Sequence, residues 1–182
     1  MSRCRGKPLT RRLASLLGLG ITASLFSSCT GGLQLVRYPF DPGGRSLNSP
    51  YTEADPQIAG RYIVFTSTRW NKQDVYLFDQ VSQRLVDLPG LNALDAIAIN
   101  PAISEDGNTI AFVATRRGVS DIYLYNRQTR QLQNLTTNLE ADVRNPTISA
   151  DGSTIAFESN ANGQWDIFVY DRTGQPLRIN DN

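Results

Sequence analysis

A repeated segment constrains the fold of this chain more than any other feature of its sequence. Residues 100–112 (NPAISEDGNTIAF) and 145–157 (NPTISADGSTIAF) are identical at ten of thirteen positions, at an offset of 45 residues. The match continues at the same offset from Ile122–Tyr125 to Ile167–Tyr170. A period of about 20 to 50 residues is typical of proteins that stack one small structural unit on the next. The sequence therefore predicts a series of similar units rather than one irregular domain.

An earlier and more diverged copy precedes these two. It contains Asp55-Pro56, then Tyr62–Phe65, then Asp74–Asp79, in the same order as the later copies. It lacks two residues at its first turn, where Ala59–Arg61 replaces the longer Asp-Gly segment. The sequence thus predicts three repeats, which we call blades 1, 2 and 3, at about 49–92, 93–138 and 139–182.

Each repeat contains about four segments that are typical of short β-strands. In the second repeat these segments are about 96–104, 109–114, 121–126 and 131–136. Asp106-Gly107 predicts a tight hairpin turn, because glycine accepts a positive φ and aspartate bonds its own backbone. From Asp121 onward aliphatic and aromatic side chains alternate, so both faces of that strand are apolar, as in a sheet packed between two others. The predicted fold class is all-β, with three four-stranded antiparallel sheets.

These residues also resemble a known repeat. The pattern S-x-D-G-x-x-I-A-F followed by D-I-Y-L-Y occurs at 104–112 with 121–125, and closely related residues occur at 149–157 with 166–170. This pattern is similar to the WD-like repeat of TolB, the periplasmic β-propeller of the Tol–Pal envelope system. The resemblance covers about residues 50–182 and implies a partial β-propeller that binds proteins in the cell envelope. Similar blades also occur as accessory domains of peptidases of the prolyl-oligopeptidase type.

Three blades do not close a ring, because propellers close with about four to eight. The outer faces of blades 1 and 3 are then uncovered and apolar, which usually indicates a partner. A head-to-tail homodimer would complete a six-bladed ring with two-fold symmetry. The alternatives are an open wedge covered by another envelope protein, Tol–Pal-like or otherwise, and a segment, residues 33–48, that folds back over one face.

Composition argues against several classes of function. The chain has no histidine, which removes the commonest general base and the commonest metal ligand. Its two cysteines, Cys4 and Cys29, precede the repeats, so the repeats have no disulfide and no cysteine-based metal site. Acidic residues exceed basic ones after residue 28, which leaves no electrostatic footprint for nucleic acid. We expect no enzyme activity, no catalytic residue, no cofactor and no metal.

Residues 1–28 are typical of a bacterial lipoprotein signal peptide. Basic residues precede an apolar stretch that is shorter than the roughly 18 residues needed to span a bilayer. The sequence then runs into Leu25-Phe26-Ser27-Ser28-Cys29, which resembles a lipobox and implies cleavage before Cys29 and lipidation of its thiol. The alternative is an ordinary signal peptide with a coincidental cysteine. The predicted location is the periplasm or cell envelope, with residues 29–48 as a tether from the membrane, and Thr30 favours the outer membrane.

Loops that differ between the repeats are the best candidates for a binding site, because function tends to reside in such loops. In the usual strand order of a propeller, the loops between second and third strands share one end of the blades with the loops between blades. Arginine and tryptophan anchor many protein interfaces. The candidate partner-binding residues at this end are Arg69, Trp70, Arg116, Arg117, Arg144 and Trp165, with Lys72, Asp95, Glu140 and Asp142 beside them.

The same loops allow a second function, binding of carbohydrate or peptidoglycan, with Trp70 and Trp165 stacked on sugar rings. Three carboxylates recur just before the third strand of the blades and would suit a cation site. Their repetition in every blade instead favours a structural role at turns. These carboxylates belong to Asp74, Asp121 and Asp166.

Overall fold

The computed structural model describes residues 43–178, all within one compact unit, and every regular element in this range is a β-strand. No helix in this range is long and apolar enough to cross a membrane. The predicted signal peptide, Cys29 and most of the predicted tether lie outside the described residues. The strands are β1 (Glu53–Ala59), β2 (Tyr62–Ser67), β3 (Asp74–Asp79), β4 (Arg84–Val86), β5 (Ile97–Ile103), β6 (Thr109–Arg116), β7 (Val119–Asn126), β8 (Gln131–Asn134), β9 (Val143–Ile148), β10 (Thr154–Ser159) and β11 (Asp166–Asp171).

The strands form three antiparallel sheets in chain order, which confirms the all-β prediction. Blade 1 is β1-β2-β3-β4, blade 2 is β5-β6-β7-β8, and blade 3 contains β9, β10 and β11. Blade 3 differs from the prediction, because its described part has three strands rather than four. An isolated bridge between Tyr170 and Pro176 stands where the fourth strand would begin. The Leu177 N–H donates to the Val169 carbonyl at 2.8 Å, so the described part of the chain contains the start of this pairing.

One irregularity recurs in the first strand of every blade. The register of β1, β5 and β9 shifts near Asp55, Asn100 and Asn145, whose φ angles are +51°, +49° and +50°. Asparagine and aspartate tolerate this left-handed region better than other residues with a side chain. The proline that follows each of them cannot donate to the ladder. The repeated Asp-Pro and Asn-Pro pairs therefore place a β-bulge at the same point of each blade.

The Asp-Gly turns form as the sequence predicts. The Asp106 carboxylate accepts hydrogen bonds from the Ser104 hydroxyl at 2.6 Å and from the Asn108 N–H at 2.9 Å. Gly107 has a φ of +70°, which a residue with a side chain rarely adopts. The same arrangement recurs in blade 3, where the Asp151 carboxylate accepts from two serines.

The hydrogen bonds at the blade 3 turn make a prediction about pH. They lower the pKa of Asp151 from 3.8 to about 2, and the Ser149 hydroxyl is the largest cause. A pKa that is lower in the folded state means that the ionised carboxylate stabilises the fold above pH 3.8. This stabilisation is lost as the pH falls toward 2. Between about pH 5 and about pH 2.5, the urea midpoint of Asp151→Asn should therefore fall less than that of the unmodified protein.

The matched control for this measurement is Asp87→Asn. Asp87 is exposed, and its carboxylate has no hydrogen bond to another described residue. Its substitution should leave the pH dependence of the urea midpoint as it is in the unmodified protein. If Asp151→Asn behaves in the same way as this control, the turn does not contribute to the pH dependence.

The apolar core lies between the blades. The cluster between blades 1 and 2 includes Val64, Leu77, Phe112 and Tyr125. The cluster between blades 2 and 3 includes Ile122, Leu124, Ile155 and Phe157. Side chains of β7 thus alternate between the two clusters, so blade 2 is apolar on both faces, as the sequence predicts. Most of the buried apolar side chains thus pack between neighbouring blades, which is the arrangement of repeat proteins.

Hydrogen bonds also join the blades. The side-chain carbonyl of Gln57 in blade 1 accepts from the N–H of Ile103 in blade 2 at 2.6 Å. The Glu105 N–H donates to the Ala150 carbonyl of blade 3 at 2.9 Å. These bonds connect adjacent blades in addition to the apolar clusters, so they help to fix the stack that positions the loops.

The free face of blade 3 differs from the corresponding face of blade 2. In blade 2 a row of three apolar side chains packs against blade 3: Ile99, Val113 and Ile122. The same repeat positions in blade 3 hold Arg144, Glu158 and Ile167. Ile167 is 67% exposed, whereas Ile122 is fully buried. The free face is therefore polar on its inner strands and apolar on β11.

The outer face of blade 1 is partly covered by residues 43–49. The Arg45 carbonyl accepts a hydrogen bond from β4 at 3.3 Å, and the Ser49 hydroxyl donates to Glu53 of β1. Between these points the segment is bound by Arg69, which donates to the carbonyls of Gly44, Ser46 and Leu47. The last part of the predicted tether is thus attached to blade 1. For these residues, the fold-back alternative describes the structure better than a free tether does.

Candidate protein-binding face

Loops that are distant in sequence meet at one end of the blades, as the usual strand order predicts. The Lys72 ammonium donates to the Ala93 carbonyl at 2.9 Å and so joins the β2–β3 loop to the β4–β5 loop. In blade 3, the Asp142 N–H donates to the side-chain carbonyl of Asn160 at 2.9 Å. We call this end the loop end. It comprises residues 68–73, 87–96, 115–120, 135–142 and 160–165.

Arg69 lies inside the protein, so its assignment to a partner-binding surface is wrong. Its residue is only 4% exposed, and its guanidinium is 3.1 Å from the Glu53 carboxylate. The guanidinium lies 5.1 Å from the ring centre of Phe65 and 5.3 Å from that of Tyr76. Together with the three carbonyls of residues 43–49, these contacts use the planar donor fork that distinguishes arginine from lysine. Arg69 therefore attaches the entering chain to blade 1.

The carboxylates that recur before the third strands have structural partners. Asp74 forms an ion pair with Lys72. The Asp121 carboxylate accepts from the Thr136 hydroxyl at 2.8 Å. The Asp166 carboxylate accepts from the side-chain amides of the loop before it. Within residues 43–178, no group of three or more histidine, cysteine, aspartate or glutamate side chains is arranged to hold a metal ion.

Trp70 is the most accessible aromatic side chain of the loop end. It is 77% exposed, at the tip of a turn closed by a hydrogen bond from the Asn71 N–H to the Thr68 carbonyl at 3.1 Å. Asn71 has a φ of +64°, which asparagine tolerates better than most residues. The turn therefore holds the indole outward on a short, defined loop.

Trp165 is also exposed, but one face of its indole is covered. The Arg144 guanidinium lies 3.8 Å from the ring centre of Trp165 and forms an ion pair with Glu158 at 2.6 Å. The other oxygen of Glu158 accepts from the Asn145 side chain at 3.0 Å. Asn145 and Arg144, in that order, lower the pKa of Glu158. Arg144 and Trp165, both predicted to bind a partner, thus form one cluster that continues onto the free face of blade 3.

Arg116 and Arg117 have different environments. The Arg116 guanidinium lies 5.7 Å from the ring centre of Tyr123, and its Nε is 3.8 Å from Asp95. That distance is too long for a hydrogen bond. Arg117 is exposed at the tip of the β6–β7 turn, where it and Gly118 have φ angles of +52° and +83°. Such a turn is typical of a two-residue hairpin.

Sequence reasoning missed two exposed apolar residues of the loop end, Leu94 and Val119, of which Val119 is 62% exposed. Leu94 is 97% exposed in the loop between blades 1 and 2. A single leucine in a loop carries no periodic signal, so its exposure is visible only in the structure. The exposed large apolar and basic side chains of the loop end are Trp70, Leu94, Arg117, Val119 and Trp165.

A cleft of about 630 Å³ lies beside Trp70. Val75, Tyr76 and Val86 are among the residues that line it. Burial, and to a lesser extent the charge of Asp74, raise the pKa of Tyr76 to about 12, so the phenol is protonated at neutral pH. Residues 43–46, 83–85 and 87–88 also line the cleft.

Stacked antiparallel sheets with their core between them, and with loops gathered at one end, define the protein as a β-propeller repeat protein. A family model described as the TolB beta propeller domain matches residues 54–180. The chain belongs to this TolB β-propeller family. No curated protein matches the sequence.

Solved structures agree with this assignment. The chain is 25% identical to a TolB of Agrobacterium tumefaciens, with a TM-score of 0.56. The match covers 70% of this chain and 46% of the Agrobacterium protein. It is 25% identical to TolB of Acinetobacter baumannii, with a TM-score of 0.53. This match covers 72% of this chain and 33% of the Acinetobacter protein. The chain thus spans less than half the length of these relatives. The β-propeller domain of the Trilobed protease of Pyrococcus furiosus shares the fold, at 20% identity and a TM-score of 0.53. The match covers 70% of this chain and 41% of that domain's chain.

Proposed function

We propose that this protein is a non-enzymatic, protein-binding module of the cell envelope that contacts its partner through the loop end. The observation that carries this proposal is the exposure of Trp70, Leu94 and Trp165 on one end of a rigid scaffold. Exposed tryptophans surrounded by arginine are typical anchors of protein interfaces. Binding residues commonly reside on loops that a rigid framework holds in place.

The sequence and the family support the location and the absence of catalysis in this proposal. Residues 1–28 have the pattern of a lipoprotein signal peptide, so we place the protein in the periplasm, lipid-anchored through Cys29 to the outer membrane. The chain has no histidine, and both cysteines precede the described residues. Membership of the TolB β-propeller family favours an envelope protein as partner, in a complex similar to Tol–Pal.

The free face of blade 3 is the second surface of the proposed interface. Ile167 and Leu177 are exposed on or beside β11, next to the cluster of Arg144 and Trp165. The head-to-tail homodimer stays a prediction. It would bring this face against the outer face of blade 1, which residues 43–49 already cover in part, so the pairing has to accommodate that segment.

Site-specific photocrosslinking in cells tests the proposal. A photoreactive residue at position 70 should give a discrete adduct with an envelope protein. Trp165→Ala should strongly weaken that adduct, because hot-spot truncations cost about 2 kcal/mol or more, which is about 30-fold in affinity. The same residue at position 167 reports on the free face of blade 3, where an adduct of twice the protein's own mass indicates the homodimer. Mass spectrometry of the adducts identifies the partner.

Position 81 is the matched control for the crosslinking. Val81 is 72% exposed, but it lies in the β3–β4 turn at the opposite end of blade 1. Equal adducts from positions 70 and 81, or none from position 70, would contradict binding through the loop end.

A further inference from the structure

We propose that the cleft beside Trp70 binds pyranose rings of a glycan chain. This goes beyond the protein-binding role, because it assigns a second ligand, a glycan, to a cleft that shares Trp70 with the proposed protein interface. The cleft volume of about 630 Å³ lies within the range of small-ligand sites, about 300 to 1,000 Å³. Its lining combines apolar side chains with hydrogen-bonding ones.

The two tryptophans of the protein are not equivalent as platforms for a sugar. A pyranose ring packs its C–H face flat on an indole, so it needs an aromatic face that is open. The Trp165 indole is already covered by the Arg144 guanidinium at 3.8 Å. Trp70 lines the cleft, is 77% exposed and has no ring or cation contact with another described residue. The structure therefore favours Trp70 as the sugar platform, in place of the pair expected from the sequence.

Hydrogen-bonding side chains surround this platform. Gln83, Arg84 and Asp87 line the cleft and are exposed, and their side chains have no hydrogen bond to another described residue. An amide, a guanidinium and a carboxylate together supply both donors and acceptors. Sugar hydroxyls donate and accept in the same way, so a glycan satisfies all three groups, whereas an apolar ligand satisfies none.

The strand edge at the cleft argues against an extended peptide as the ligand. A peptide that binds by adding a strand needs free backbone groups at the edge of a sheet. The Leu85 N–H of the edge strand β4 already donates to the Arg45 carbonyl at 3.3 Å. Strand addition at this point would have to displace the segment that Arg69 fixes to blade 1. A glycan makes no such demand, because it uses side chains.

Tryptophan fluorescence tests the site directly, because the chain has only two tryptophans. In a Trp165→Phe variant, Trp70 is the sole reporter. Titration with chitotriose and with cellotriose should give a saturable blue shift, and binding of chitotriose alone would indicate that the acetamido groups of peptidoglycan-like glycans are recognised. Asp87→Ala should weaken the binding at least about fivefold, as expected for the loss of a hydrogen bond to a charged group.

The reciprocal variant locates the site. Trp70→Phe leaves Trp165 as reporter and should show no saturable change with either sugar. No response of Trp70 to either sugar at millimolar concentration, a response of Trp165 instead, or a response of Trp70 to tetra-alanine but not to sugars would each overturn the proposal. Photocrosslinking to a protein partner is independent of these results, so failure of the glycan site leaves the protein-binding proposal to be judged by its own test.

Discussion

Replacing Arg69 by alanine is expected to lower the free energy of unfolding by about 3 to 5 kcal/mol, the usual cost of removing one partner of a buried ion pair. The substitution leaves the carboxylate of Glu53 without its cation and three backbone carbonyls of residues 43–49 without their donor. It also removes the guanidinium that covers Phe65 and Tyr76. Urea unfolding, followed by tryptophan fluorescence, measures the effect.

Two further variants make this prediction specific. Arg69→Lys keeps the charge but loses the planar fork, so it should recover only part of the loss. Arg172→Ala removes an arginine that is exposed and should change the free energy of unfolding by less than about 0.5 kcal/mol. An Arg69→Ala variant as stable as Arg172→Ala would show that Arg69 does not fasten the chain to blade 1. An Arg69→Ala variant that does not fold would be the strongest form of the expected result.

The sequence predicted the blades because each of their determinants is local and repeated. Asp106-Gly107 specifies a turn within four residues, and the alternation from Asp121 specifies two apolar faces within one strand. Because the repeats are related by an offset of 45 residues, both predictions also apply to blade 3. There the structure confirms the turn at Asp151. The first strands were also predictable, but the sequence analysis did not predict the bulges at Asp55, Asn100 and Asn145. Positive φ angles before proline are visible in the sequence only as Asp-Pro and Asn-Pro.

The site was less predictable because its decisive contacts are not local. Arg69 has the same sequence context as an exposed loop arginine, yet its backbone partners lie 22 to 25 residues earlier in the chain. No periodicity relates residues 43–49 to the β2–β3 loop. Likewise, nothing in the sequence shows that Arg144 covers Trp165 whereas Trp70 remains open. Only the three-dimensional arrangement separates these two tryptophans.

The polar residues on the free face of blade 3 give a physical reason why this face can remain exposed to water. A closed ring requires apolar faces on all blades, as blade 2 has. Blade 3 instead has Arg144 and Glu158 where blade 2 has Ile99 and Val113. Two paired charges reduce the penalty of leaving this face in water, while Ile167 on β11 keeps part of it apolar. Such a face suits a non-obligate interface, which is only about as apolar as ordinary protein surface.

Replacing Gly107 by alanine is expected to lower the free energy of unfolding by about 3 kcal/mol, from two separate causes. A side chain at a φ of +70° costs about 1 to 2 kcal/mol. In addition, the new Cβ would lie 2.3 Å from the Tyr62 ring, an overlap whose relief costs roughly 1 to 3 kcal/mol. The ring cannot move aside freely, because the guanidinium of Arg127 lies 4.5 Å from its centre and that of Arg61 lies 5.4 Å from it.

Gly118→Ala separates the two causes, because Gly118 has a similar φ of +83° and no atom within 4 Å of the position of a Cβ. It should therefore show the backbone cost alone. In a Tyr62→Ala background, Gly107→Ala should cost no more than Gly118→Ala, and the difference from the single variant measures the coupling between Gly107 and Tyr62. Equal losses for Gly107→Ala and Gly118→Ala in the unmodified background would mean that the turn of blade 2 does not press on blade 1. The contact between these blades would then depend on the apolar cluster and not on the turn.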